Sequence, residues 1–67
     1  MTPAELFAAA VDKIEAPGTK AWATSDHNRP ILLEIAAGAI AKADREHRPP
    51  PDACRFGAYI VCLALGL

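Results

Sequence analysis

Excess charge of either sign is missing from this sequence. Seven Lys and Arg stand against eight Asp and Glu, giving a formal net charge of −1 and a pI near 6.0. That balance lacks the basic footprint of a nucleic-acid binder and exerts no strong pull toward anionic lipid, so nucleic acid is not an expected partner. Histidine and cysteine are scarce: His27, His47, Cys54 and Cys62 are all there is. No His–Xaa3–His, Cys–Xaa2–Cys or Glu–Xaa2–His arrangement occurs, so neither a metal nor a cofactor is expected. Gly18, Gly38, Gly57 and Gly66 are isolated, which excludes a glycine-rich phosphate loop. Cys54 and Cys62 would lie about 12 Å apart along a helix, beyond the roughly 7 Å limit for a disulfide. Both read as small buried apolar residues of a reducing compartment. The first residues carry Glu5, Asp12, Lys13 and Glu15 rather than a basic start and an apolar centre, so a cytoplasmic location is expected.

Catalysis is not expected either. Cys54, beside Arg55 at the start of a helix, is the better placed thiol, but no base accompanies it. Asp12 and Glu15 read as solvated surface acids. Lys42, Arg45, His47, Arg48 and Arg55 are the one basic concentration, and they are explained by helix-dipole compensation and solubility.

What the chain does have is apolar surface, at 52% of its 67 residues, much of it alanine. Aromatics are only 6%, and this composition favours helix over strand. A chain of this length forms one domain, 1–67, with a core that is marginal without help from disulfide, metal or association. Thr2-Pro3-Ala4-Glu5 combines an N-cap, a proline at the first helical position and the Glu of a capping box. A first helix is therefore predicted over 3–16, ended by Pro17-Gly18, with Leu6, Phe7, Ala10, Val11 and Ile14 within about 140° of arc. Residues 18–29 have no clean period. They are long for a structureless connection, so part of the segment is expected to pack or form a short helical turn around Trp22. Trp22 is read first as closing the core, with contact to a partner as the alternative.

Ser25, Asp26 and Asn28 are good caps for a second helix over 29–47, whose apolar arc is about 200° wide. Its middle, Ala36-Ala37-Gly38-Ala39, suits close approach of another helix. Asp44 and Arg48 are expected to pair at i,i+4. Pro49-Pro50-Pro51 then makes a stiff link to a third helix over 51–66, so that the second and third helices form an angled hairpin with the first packed across them.

The third helix sets the functional expectation. From Phe56 to Leu67 the chain is uncharged and apolar, and about 18 Å of rise is too short to cross a bilayer. The small side (Cys54, Ala58, Val61, Cys62) is expected to pack on the Ala/Gly stripe of the second helix. Phe56, Tyr59, Ile60, Leu63 and Leu67 would then face the first helix and an interface. The expected function is a small interaction module that self-associates or binds a protein partner through this helix. A membrane-surface protein with the helix in one leaflet is the first alternative. The alanine-rich Thr-Pro-Ala-Glu-Leu opening has the composition of small bacterial or phage proteins, and a regulatory protein binding a host protein or DNA is the second.

Overall fold

The computed structural model describes residues 1–66 and is all-helical among them, with four helices: α1 Pro3–Asp12, α2 Pro17–Thr24, α3 Asn28–Arg45 and α4 Ala53–Leu65. The Thr2 hydroxyl accepts from the Glu5 backbone N–H at 3.2 Å while the Glu5 carboxylate accepts from the Thr2 N–H at 3.1 Å, completing the predicted capping box of α1. The helix closes earlier than expected, at Asp12, through tight bonds from the Lys13 N–H to the Ala10 carbonyl and from the Ile14 N–H to the Val11 carbonyl, both 3.1 Å. Ile14 lies past the helix end and is still buried.

Pro17 has two roles. It forces Ala16 into extended backbone, and it occupies the first position of α2, where its missing N–H costs nothing. Residues 17–24 thus form a helix where the sequence pattern predicts no more than a turn. At its end the Trp22 carbonyl accepts from the Ser25 hydroxyl at 2.9 Å and from the Asn28 side-chain amide at 3.1 Å. The same Ser25 oxygen accepts from the Asn28 N–H at 3.3 Å, so one side chain closes α2 and opens α3.

α3 ends two residues before the predicted boundary, with His47 in the left-handed region at φ 55°. The Arg48 N–H donates to the Ala43 carbonyl at 2.8 Å and the His47 N–H to the Asp44 carbonyl at 3.2 Å, a Schellman closure. Because Arg48 stands beyond the helix, it cannot meet Asp44 across a turn. It pairs instead with Glu46 at 3.6 Å on the exposed surface. Asp52 caps α4, its carboxylate accepting from the Cys54 N–H at 2.9 Å, and Gly66 closes it at φ 73°.

The core draws on every helix: Leu6, Phe7 and Ala10 from α1, Ala23 from α2, Leu32 and Ala36 from α3, Phe56 and Ile60 from α4, and Ile14 from the connection after α1. As expected, α1 packs against both of the longer helices, α3 and α4; α2 does so as well. With α1 and α2 each lying against α3 and α4, those two helices make little contact with one another. The close approach is therefore not on the Ala/Gly stripe. Ala37 and Gly38 are exposed, and it is the buried Gly57 that meets α1, where a Cβ would sit 3.2 Å from the Ala10 carbonyl oxygen.

Candidate functional site

Which side of α4 is buried decides what the helix offers to other molecules. Phe56, Gly57 and Ile60 point into the core, with Ala53, Val61 and Ala64 partly covered beside them. This reverses part of the expected assignment. Phe56 and Ile60 belong to the chain's own core, at 6% and 0% exposure, and are not free to meet a partner. Conversely Cys54, Ala58 and Cys62, expected to be packed inward, are exposed. The reason is the partner helix: α4 packs on α1 through Gly57, which turns the small-residue side outward.

Tyr59 and Leu63 remain on the outer side, 46% and 39% exposed, and Leu65 joins them at 62%. Leu67 lies outside the described residues. The outward half of α4 thus consists of Cys54, Arg55, Ala58, Tyr59, Cys62, Leu63 and Leu65, with Arg55 its one charged side chain. Tyr59 is steadied from below, since its ring is tilted 35° to that of buried Phe56 with centroids 6.3 Å apart. The outer surface of the helix is in this way fixed to the core by a side chain one residue short of a turn away.

Next to this face, where α3 and α4 diverge, an open groove of about 560 Å³ runs over Ile35, Ala39, Phe56 and Tyr59, walled by Pro49-Pro50-Pro51 and flanked by Arg48 and Arg55. Trp22 is half-buried and packs against the core from α2, so it serves the fold without being fully enclosed. No group of three or more His, Cys, Asp or Glu side chains converges as a metal site among the described residues. His27 and His47 are both exposed. No helix among the described residues is long and apolar enough to cross a membrane. The basic residues at the α3–α4 junction are interleaved with acids, Asp44, Glu46 and Asp52, and Arg48 is paired with one of them.

The sequence divided α4 into a small-residue side and a bulky side without telling which packs inward; Arg55 on the exposed side and Gly57 on the side of closest approach were its markers. Comparison of the chain with protein families, with curated proteins and with solved structures finds no match.

Proposed function

We propose that this protein is a small helical interaction module that associates with a protein surface through the outer half of α4, with no catalysis of its own. One observation carries the reading: the side of α4 that the fold leaves in solvent presents Tyr59, Leu63 and Leu65, with Arg55 the one charge that the helix itself contributes. A solvent-facing helix side ordinarily carries most of the charge of its helix. A 13-residue helix offers an outer strip about 20 Å long. That amounts to roughly several hundred Å² of accessible apolar surface, the size at which exposed patches mark contact sites. The strip is not needed for the fold, since the core uses the opposite side. Lying on a membrane surface is the weaker use of the same strip, because interfacial helices carry a face rich in Lys and Arg, and α4 has Arg55 alone.

An exposed thiol on this strip reports its cover. Cys62, near the middle of the strip, should react with a maleimide at the free-thiol rate in dilute purified protein and several-fold more slowly once the face is occupied, in concentrated protein or in an extract of the native cells. Equal reactivity in all three would reject the reading. Leu63→Glu should abolish the shielding and leave the helical circular dichroism intact, because Leu63 is outside the core.

A further inference from the structure

The outer face of α4 is complementary to itself in one orientation. Arg55 and Cys62 are seven residues apart and so fall within about 20° of each other, along the centre line of that face. Ala58 and Leu65 flank the line on one side, Tyr59 and Leu63 on the other. The apolar portion is centred on Cys62, and the one cation stands at its N-terminal edge. At the other end of the helix the situation is the opposite: the last turn of α4 contains no basic residue, whereas the last turn of α3 contains Lys42 and Arg45. The terminal carbonyls of α4 therefore carry their partial negative charge with no cation from their own helix.

Building on the association proposed above, we infer that the occupant of this face is a second copy of the same chain, with the two α4 helices antiparallel about a two-fold axis at Cys62. In that arrangement each Arg55 backbone lies about 6 Å beyond Leu65 of the opposite helix, and its long side chain can reach back toward that helix's terminal carbonyls. The two Arg55 positions are about 21 Å apart along the pair, twice a Debye length or more at physiological salt. A parallel pair would set both Arg55 side chains side by side and bring neither helix C-terminus a cation from the partner. Small side chains on and beside the centre line, Cys62 and Ala58, let the axes approach toward about 8 Å, with Tyr59 and Leu65 closing over the edges. The buried area stays at the low end for specific complexes, so the dimer forms at micromolar rather than nanomolar concentration.

Sedimentation of the full chain from about 10 μM to about 1 mM should show the 7.1 kDa species giving way to one of twice that mass. The Cys54→Ser variant, left with Cys62, should be joined into dimers by a short bismaleimide. The Cys62→Ser variant, left with Cys54, should not, because the two Cys54 positions lie about 24 Å apart along the pair. Arg55→Glu should weaken the dimer by about tenfold or more, the change acting twice across the axis, while Arg55→Lys should keep it near its original strength. A monomer at every concentration overturns the inference, as does a dimer that crosslinks equally through either cysteine or ignores Arg55→Glu. These failures differ from failure of the interaction reading: a Cys62 thiol shielded in cell extract but never in pure protein rejects the second copy and keeps the module, whereas one shielded nowhere rejects both.

Discussion

His47 adopts a backbone conformation that suits glycine, at φ 55°, and does so because the Schellman closure of α3 requires it. A Cβ in the left-handed region costs about 1–2 kcal/mol, of which the greater freedom of glycine in the unfolded chain takes back part. His47→Gly should therefore raise stability by about 0.5–1 kcal/mol, read as a higher denaturant midpoint at unchanged slope. Glu5 makes a second statement at this scale. The hydrogen bonds it shares with Thr2, first the side-chain and then the backbone one, hold its carboxyl below the ordinary carboxylate range. A carboxyl depressed on folding adds stability above its unfolded pKa and loses it as pH falls through the folded value. Fraying of the first turn of α1 on acidification should thus begin below the ordinary Glu titration and be absent from the pH profile of Glu5→Gln, as followed by amide chemical shifts of Thr2 and Glu5.

Among elements, the ends of α1 and α3 and the cap of α4 were written in local residues, and the sequence yielded them to within a few positions. α2 was not read as a helix for a physical reason. Pro17-Gly18, which the sequence pattern takes as the stop of α1, instead starts α2, and an eight-residue helix has too few turns to display a period. The orientation of α4 was hidden for a different reason: when every position but Arg55 is apolar, burial is decided largely by steric fit to a neighbour, and the neighbour is the carbonyl of Ala10. Two glycines separate that fit from simple propensity. Gly38 has nothing within 4 Å of an added Cβ, so Gly38→Ala should stabilise α3 by up to about 1 kcal/mol. Gly57→Ala has the same propensity gain set against a 3.2 Å contact with backbone that cannot swing aside, so it should be neutral or destabilising by about 1 kcal/mol. Equal gains in thermal midpoint for the two variants would contradict the α1–α4 packing.

Taken whole, the molecule rests on a small core for its 35 × 21 × 20 Å extent. Leu6 is fully enclosed at its centre, and Leu6→Ala should cost about 2–5 kcal/mol, comparable with the entire stability of a domain this small. Calorimetry should accordingly show that variant largely unfolded at 25 °C, unlike Leu63→Glu. Part of the candidate interface was legible from composition, since an apolar C-terminal helix exceeds what two companions can cover. Assigning its residues needed the packing, which drew Phe56 and Ile60 inward and left Tyr59 and Leu63 outside.

The contact of Gly57 with Ala10 bears also on the order in which the chain can acquire its shape. It ties an early segment to a late one across most of the sequence, and α3 and α4 scarcely support each other without α1 and α2 between them. During synthesis, α1 through α3 would leave the ribosome with the Leu6, Phe7 and Ala10 face still uncovered on the side that α4 closes. Collapse to the native core waits for the segment around Ile60, so folding carries the closure of the long loop between Ala10 and Gly57.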